Sequence, residues 1–304
     1  MPDIAGVLPI VHTPFLDDDS IDAASLQRQI DWAMEVGADG LCTGMVSELL
    51  RLSVDERKQL TSLIAEARAD RGVMVIGVGA ESTRQAVEFA LHAEQHAADA
   101  VMAIPPISTA LAEPELLDYF VTLIESISIP IIVQDASSYV GQRIPLDVCV
   151  DLVDRYGADR VMFKPEAAPL GPNLSALRDR TNGKAHIFEG SGGISIIDSF
   201  RRGIHGTMPG MEFLQGVIGV WNALESGDET TAYRLYFPLC ALVAIQLQAG
   251  LDGFLAIEKY VLKKRGLFTT DRRRGPLNWK LDEETRLEVD RLLAILENEL
   301  TIHC

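Results

Sequence analysis

Residues 130–165, "PIIVQDASSYVGQRIPLDVCVDLVDRYGADRVMFKP", form the stretch that decides the fold of this chain. The stretch begins with the apolar run 130–135 and ends with the apolar run 160–164. Neither run alternates apolar with polar residues, which is typical of strands buried on both faces of a parallel sheet. The longer segment between them has Pro145 near its start, a position where a helix tolerates the missing amide donor of proline. The stretch therefore predicts a strand–helix–strand unit.

The same unit recurs along residues 1–211. Six more apolar runs predict strands: "GVLPIV" (6–11), "DGLCTG" (39–44), "VMVIGV" (73–78), "DAVMAI" (99–104), "HIFEG" (186–190) and "GIHGTM" (203–208). Two of the intervening helical segments begin with capping boxes, Ser53 with Glu56 and Ser82 with Gln85. Eight strand-then-helix units in about 210 residues predict a (β/α)₈ barrel. The alternative, a doubly wound open sheet, would usually carry a glycine-rich phosphate loop after its first strand, and "VHTPFLDDDSID" is not such a loop.

Residues 212–304 have a helical pattern and predict a C-terminal extension that packs on the barrel as one structural unit. The predicted helices are "LQGVIGVWNALESG" (214–227), "TTAYRLYFPLCALVAIQLQ" (230–248), "GFLAIEKYVLKKRG" (253–266) and "DEETRLEVDRLLAILENEL" (282–300).

The composition excludes several classes of protein. Of the 304 residues, 47% are hydrophobic and 23% charged, as in ordinary globular proteins. A net charge of −17 argues against a nucleic-acid partner, which would require a basic face. No signal peptide and no run long enough to span a membrane is found, so we expect a cytoplasmic protein without a membrane partner. The scattered cysteines predict reduced thiols rather than disulfides or a zinc site: Cys42, Cys149, Cys240 and Cys304.

Lys164 is the most informative polar residue, because it ends the sixth predicted strand, where barrels collect their chemistry. Glu166 follows two residues later, so the two side chains point to the same side if the chain stays extended through Pro165. Burial disfavours an ammonium, and a buried lysine can attack a ketone to form a Schiff base. The alternatives are an interior salt bridge and a lysine that reaches to solvent, and position alone leaves all three interpretations open.

Other strand ends carry groups that can bind hydroxyls or an anion, although each is equally compatible with an ordinary turn. These candidates are Gly44, Ser47 and Glu48 after the second strand, Gln134, Ser137, Ser138 and Tyr139 at the fifth, and Gly190 and Met208 in glycine-rich turns at the seventh and eighth. His92 and His96 have helical spacing but lack the HExxH pattern, so we expect no metal site there.

Seven segments in order make the chain resemble the dihydrodipicolinate synthase / N-acetylneuraminate lyase family over essentially its whole length. They are "VHTPF" (11–15), "GMVSELLRLSVDER" (44–57), "IIVQDASSYVG" (131–141), "VMFKP" (161–165), "FEGSGG" (188–193), "GTMPG" (206–210) and "RRRGPLNWKLDEETRLEVDRLL" (272–293). The resemblance implies a (β/α)₈ barrel, a Schiff base between Lys164 and a 2-oxo acid such as pyruvate, and a homotetramer or homodimer. It implies no metal and no organic cofactor, since the imine is the electron sink.

The chain departs from this family at the residues that move protons. Gln134 stands where the family has its catalytic tyrosine, and Met45 and Val46 replace two threonines. Ile107 replaces the tyrosine lent by a neighbouring subunit, and Tyr139 aligns with the arginine that holds the second substrate's carboxylate. The Tyr–Thr–Tyr relay is therefore absent, which argues against the lysine-pathway synthase and the sialic acid lyase.

Glu166 is the nearest replacement for that relay, at a position that the family generally fills with a small residue. A buried carboxylate beside a lysine can serve as general acid and base. With this change the site resembles the family's dehydratases and aldolases of 2-keto-3-deoxy sugar acids. We therefore expect a lyase in which Lys164 forms the imine and Glu166 moves the protons.

Substrate contacts follow from the same resemblance. Hydroxyls would be bound by Gln134, Ser47 and Ser137, and the carboxylate by Gly44, Ser47 and the amides near Met45 and Val46; Tyr139, Gly190 and Met208 complete the predicted substrate-binding set. Two other functions stay open: condensation of pyruvate with an aldehyde, as in the synthase, and a catalytically silent protein that binds a 2-oxo acid.

Overall fold

The strands of the protein occur in the order that the apolar runs predict. The computed structural model describes residues 3–301, and within them eight strands are present: β1 (Gly6–Val7), β2 (Gly40–Cys42), β3 (Val73–Gly77), β4 (Ala100–Ala103), β5 (Ile131–Asp135), β6 (Val161–Pro165), β7 (Phe188–Glu189) and β8 (Gly206–Thr207).

Helices alternate with these strands. The same residues 3–301 contain eleven α-helices: α1 (Ala23–Glu35), α2 (Val54–Arg68), α3 (Thr83–Gln95), α4 (Glu113–Ser126), α5 (Leu146–Tyr156), α6 (Leu170–Arg180), α7 (Ile196–Arg201), α8 (Leu214–Glu225), α9 (Glu229–Leu247), α10 (Gly250–Lys264) and α11 (Glu283–Thr301). Each strand is followed by one helix as far as α8, which gives the eight predicted units. The helices α9, α10 and α11 extend the chain beyond them.

The helix starts are fixed by the residues that the sequence singles out. At α2, the Ser53 hydroxyl accepts the Glu56 amide at 3.2 Å, and the Glu56 carboxylate accepts the Ser53 amide at 2.8 Å. At α3, the Ser82 hydroxyl accepts the Gln85 amide at 3.2 Å. These bonds satisfy donors that a helix start leaves free. The predicted capping box is confirmed in full at α2, and at α3 its Ser82 half is confirmed.

The described residues divide into two compact units, each assembled from separate stretches of chain. The first consists mainly of residues 73–190 together with 198–207, and the second of residues 6–72, 191–197 and those from 208 onwards.

The first unit holds a parallel sheet in the order β3–β4–β5–β6, and β7 pairs with β8 in parallel. Every residue of β3, β4 and β5 is buried, as expected for strands covered on both faces. The register between β5 and β6 places Gln134 directly opposite Lys164. Because parallel strands share one direction, the carboxyl ends of β5 and β6 carry their polar side chains to the same edge.

The second unit joins the chain after β1 to two other segments, since Ile10 forms parallel bridges with Cys42 and Gly210. Its helices α8 and α11 bury apolar side chains, among them Val217 and Val220 on α8 and Leu293 on α11.

Cys149 of the first unit is a buried thiol, and burial raises its pKa to about 12. Cys304 lies outside the described residues. None of the helices within 3–301 has the length and apolar character that crossing a bilayer requires.

Candidate active site

Lys164 and Glu166 lie side by side at the end of β6. The strand continues through Pro165, so the two side chains point the same way, as the sequence predicts. The Lys164 Nζ is 3.4 Å from Glu166 Oε1, and the two side chains are only 5% and 8% exposed. An amine and a carboxyl group thus lie together in the first unit, where both are almost fully shielded from solvent.

Glu166 is held through both its carboxylate and its backbone. Gln134 Nε2 donates a hydrogen bond to Glu166 Oε2 at 2.5 Å. The Glu166 amide donates to the Asp135 carbonyl oxygen at 3.0 Å, and the Ser138 hydroxyl donates to the Glu166 carbonyl oxygen at 2.7 Å. Gln134, which the sequence predicts as a hydroxyl-binding residue, therefore also orients the carboxylate, and its amide group has further donor and acceptor capacity for a ligand.

Burial raises the pKa of Glu166 above its ordinary value of 4.5. The Lys164 ammonium and the Gln134 hydrogen bond oppose this rise, and the charge of Glu189 adds to it. Glu189 ends β7, is fully buried, and accepts a hydrogen bond from the Thr207 hydroxyl at 2.6 Å. A carboxyl group with a raised pKa can both accept and return a proton near neutral pH, which is what general acid–base chemistry requires. Sequence reasoning missed Glu189, although a lone acidic residue inside the run "HIFEG" is a signal for it.

Gly190 directly follows β7 and lies beside Lys164 and Glu166. A Cβ atom at Gly190 would overlap Lys164 Cε and Glu166 Oε1. The position is therefore occupied by glycine because any side chain would displace the lysine, the carboxylate or both. The predicted site residues Lys164, Glu166, Gln134 and Gly190 are thus brought together within one unit.

We expect Gly190→Ala to lower kcat/KM by about 10²-fold or more, because a displacement of roughly 1 Å at the reacting groups is enough for such a loss. Two quantities would be measured: the rate at which borohydride traps pyruvate on the protein, and kcat/KM for a 2-keto-3-deoxy sugar acid, the substrate class that the resemblance implies. Gly275→Ala is the control, since a Cβ atom there meets nothing within 4 Å. Full activity of Gly190→Ala, with the control also unchanged, would show that Lys164 and Glu166 need no such close fit.

The loop after β5 is organised by Asp135. Its carboxylate accepts the Ser137 amide at 3.0 Å and the Ile144 amide at 2.9 Å. The Tyr139 amide donates to the Ala136 carbonyl oxygen at 2.8 Å, which closes a turn. Ser137 and Tyr139 are therefore part of an ordered loop that follows the strand carrying Gln134, and their contact with substrate stays a prediction.

The other predicted substrate-binding residues belong to the second unit. A 3₁₀ turn spans Met45–Ser47, with Gly44 before it. The Ser47 hydroxyl donates to the Val11 carbonyl oxygen and accepts the Gly44 amide at 3.1 Å, so this hydroxyl already has two partners inside the unit. The backbone of the turn is thereby fixed. The Met208 side chain is buried in the same unit. Substrate binding by these residues stays a prediction.

The Glu48 side chain holds this turn from inside the second unit. Its φ of 60° lies in the left-handed region, and its side chain is buried. The carboxylate forms an ion pair with Lys259 and accepts the Arg274 amide at 2.7 Å. Lys259 is fully buried and also donates to the carbonyl oxygens of Thr13 and Arg272, each at 2.8 Å.

Burial lowers the pKa of Lys259 to about 8. Sequence reasoning missed this residue, although a lysine within the apolar run "GFLAIEKYVL" is the signal that could have found it. The side chain ties α10 to the turn 44–48, so a buried charge pair holds the loop that follows β2.

The chain is similar to known proteins over nearly its whole length. The profile of the dihydrodipicolinate synthetase family matches residues 3–296. An L-2-keto-3-deoxyarabonate dehydratase of Azospirillum brasilense is 29% identical over 296 residues, which cover 95% of this chain and 93% of that protein. A 4-hydroxy-tetrahydrodipicolinate synthase of Methanosarcina mazei is 28% identical over 242 residues, which cover 78% of this chain and 81% of the synthase.

Among solved structures, the chain is similar to the dihydrodipicolinate synthase of Rhodopseudomonas palustris. The TM-score is 0.85 at 29% identity, and the match covers 96% of this chain and 98% of the synthase. This likeness confirms the predicted fold class, a (β/α)₈ barrel with a C-terminal helical extension.

Proposed function

The chain belongs to the dihydrodipicolinate synthetase family, and on that premise we propose that it is a Schiff-base lyase that removes water from a 2-keto-3-deoxy sugar acid. The observation that carries this proposal is the buried pair of Lys164 and Glu166, 3.4 Å apart on one strand. The similarity to a 2-keto-3-deoxyarabonate dehydratase supports the choice of substrate class.

In the proposed reaction, Lys164 attacks the C2 ketone and water leaves, which forms the imine. The imine makes the C3 protons acidic, and the Glu166 carboxylate takes one of them to give an enamine. The enamine expels the C4 hydroxyl group, which leaves as water with the proton that Glu166 returns. Hydrolysis then releases the product and frees Lys164. Gln134 keeps Glu166 oriented through both proton transfers.

Three other functions stay open, two of them with related chemistry. An aldolase would break the C3–C4 bond of the same substrate class and release pyruvate and an aldehyde. A synthase would join pyruvate to an aldehyde, as the similarity to 4-hydroxy-tetrahydrodipicolinate synthases would allow. A silent 2-oxo acid-binding protein is the second candidate function, because Gln134, Met45 and Ile107 replace the family's relay residues.

The test is covalent trapping. Pyruvate and borohydride are added to the protein, its intact mass is measured, and a peptide map locates the adduct. An adduct on Lys164 supports the Schiff base, and product analysis with 2-keto-3-deoxy acids of differing length and C4 configuration then separates water loss from cleavage. Absence of an adduct with pyruvate and longer 2-oxo acids, while a related lyase is trapped alongside, would favour the silent binder.

Glu166→Gln is expected to slow turnover by about 10²–10⁴-fold while imine trapping persists, because the amide cannot accept the C3 proton. The wild-type rate should fall as the pH is lowered through the pKa of Glu166, which lies above 4.5, since only the ionised carboxylate is a base. This acidic limb of the pH–rate profile should be missing in the variant. The exposed Glu113→Gln is the control. Equal turnover of Glu166→Gln and wild type would remove Glu166 from the mechanism.

We also propose that the protein acts in the cytoplasm as the homotetramer or homodimer that the family resemblance implies.

A further inference from the structure

Three buried side chains that the proposed reaction does not use converge in the second unit. His12 follows β1, Glu212 precedes α8, and Glu258 lies on α10. Their exposed fractions are 0%, 3% and 1%. One ligating atom from each lies within 4.8 Å of the others, with His12 Nε2 3.8 Å from Glu212 Oε2 and His12 Nδ1 3.5 Å from Glu258 Oε2. The three positions are far apart in the sequence, so no local pattern indicates the cluster.

The two carboxylates are incompletely satisfied. Glu212 Oε1 accepts a hydrogen bond from Gln246 Nε2 at 2.8 Å. Within residues 3–301, neither Glu212 Oε2 nor Glu258 Oε2 accepts a hydrogen bond, and both atoms are buried. A buried carboxylate oxygen without a partner is costly, so two of them in one place favour the binding of a positively charged ligand.

His12 is oriented to supply the third ligand. Its Nδ1 is 3.1 Å from the Val46 carbonyl oxygen, which can accept only a hydrogen, so Nδ1 carries the proton and Nε2 the lone pair. The Met211 amide approaches Nε2 at 3.4 Å, which makes a long, weak hydrogen bond. Histidines that bind metals usually donate their other ring N–H to a carbonyl or a carboxylate, as His12 does here.

Gly210 makes room for the carboxylates. A Cβ atom at this position would overlap Glu212 Oε2 and lie 2.9 Å from Glu258 Oε1. Burial and the neighbouring Glu212 charge raise the pKa of Glu258 well above its ordinary value. Two ionised carboxylates in this cluster therefore repel each other.

A proton on Glu258 Oε2 satisfies the cluster poorly. A proton on Glu258 Oε2 would point to His12 Nδ1 at 3.5 Å, a nitrogen that already carries its own hydrogen, and Glu212 Oε2 would still lack a partner. One ligating atom from each of the three side chains lies within 4.8 Å of the other two, so a single cation can contact all three side chains. We propose that His12, Glu212 and Glu258 bind a divalent transition-metal ion of the Zn²⁺ or Mn²⁺ type.

The donor set selects this class of ion. One imidazole nitrogen with two carboxylate oxygens suits Zn²⁺ and Mn²⁺, whereas Ca²⁺ prefers six to eight oxygen ligands. The ion joins the segment after β1 to the segment before α8 and to α10, all within the second unit. Its role is structural, since the Schiff base itself supplies the electron sink for the proposed reaction.

The test measures metal content and thermal stability of the untagged protein. After growth in medium containing Zn²⁺ and Mn²⁺, elemental analysis should find about one divalent ion per chain. Chelation should lower Tm by several degrees, and adding back the ion should restore it. Glu258→Gln should contain at least roughly 10-fold less metal and show no response of Tm to the chelator.

The matched control is Asp252→Asn on the same helix. Asp252 is buried and pairs with Arg51 at 2.7 Å, outside the cluster, so this variant should keep its metal. Metal at the wild-type level in Glu258→Gln would place the ion elsewhere and overturn the proposal. So would a wild type that neither retains nor responds to Zn²⁺ or Mn²⁺, since the two carboxyl groups would then hold a proton instead. If Glu258→Gln does not fold, pulsed electron paramagnetic resonance of the Mn²⁺-loaded wild type should detect coupling to the His12 nitrogen, and a spectrum of hydrated Mn²⁺ alone would count against the site.

Discussion

Lys164→Ala is expected to lower turnover by a factor of roughly 10⁵–10⁶. It should also prevent all borohydride-dependent attachment of pyruvate. The reason is that the variant has no amine at the end of β6, so neither the imine nor the enamine can form. The Glu166 carboxylate would be left buried without its ammonium neighbour at 3.4 Å. Turnover on the 2-keto-3-deoxy acid and the intact mass after trapping would be measured on the same preparation.

Lys164→Arg is the control for charge, because it keeps a cation beside Glu166 but the guanidinium cannot act as an amine nucleophile. It should also be inactive, while melting closer to wild type than Lys164→Ala does. The informative contrary result is an adduct that persists in Lys164→Ala. The peptide map would then show which lysine carries it, and Lys259, with its pKa of about 8, is the first alternative to inspect.

The largest expected effect on stability comes from Lys259→Met, which should lower the free energy of unfolding by about 3–5 kcal/mol. The substitution leaves the Glu48 carboxylate buried without its cation. It also removes the donor to the carbonyl oxygens of Thr13 and Arg272. Urea denaturation followed by circular dichroism gives the change directly.

Lys263→Met is the matched control, because Lys263 lies on the same helix and pairs with Asp271 in an exposed position at 3.0 Å. This variant should change the free energy of unfolding by no more than about 0.5 kcal/mol. Glu48→Gln combined with Lys259→Met should be less destabilising than Lys259→Met alone, since no buried charge is left unpaired. A Lys259→Met variant as stable as the control would mean that water or another cation compensates Glu48.

The fold could be predicted from the sequence because each strand carries its own signal. Runs without polar alternation located every strand, and capping residues such as Ser53 located helix starts. The lengths were less predictable: the first run covers residues 6–11, but β1 ends at Val7. Pro9 explains the difference, because proline has no amide hydrogen to donate to a neighbouring strand.

The candidate site could be predicted where it depends on one strand. Lys164 and Glu166 are two residues apart, so the period of a β-strand alone brings them together. The buried pair of Glu48 and Lys259 could not be predicted in this way, because it joins segments 211 residues apart. The cluster of His12, Glu212 and Glu258 escaped prediction for the same reason, since hydrophobic periodicity records burial but not which buried groups meet.

The placement of Glu166 on β6 changes what the proposed reaction needs from quaternary structure. In other members of the family, as the sequence resemblance implies, a neighbouring subunit lends one tyrosine of the proton relay. Ile107 stands at that position in this chain. In the proposed reaction the nucleophile Lys164 and the proton acceptor Glu166 are separated by only one residue of the same strand, and Gln134 lies on the adjacent strand. If the reaction proceeds as proposed, an isolated chain would contain both groups that move the proton, and it would need no residue lent by a second copy.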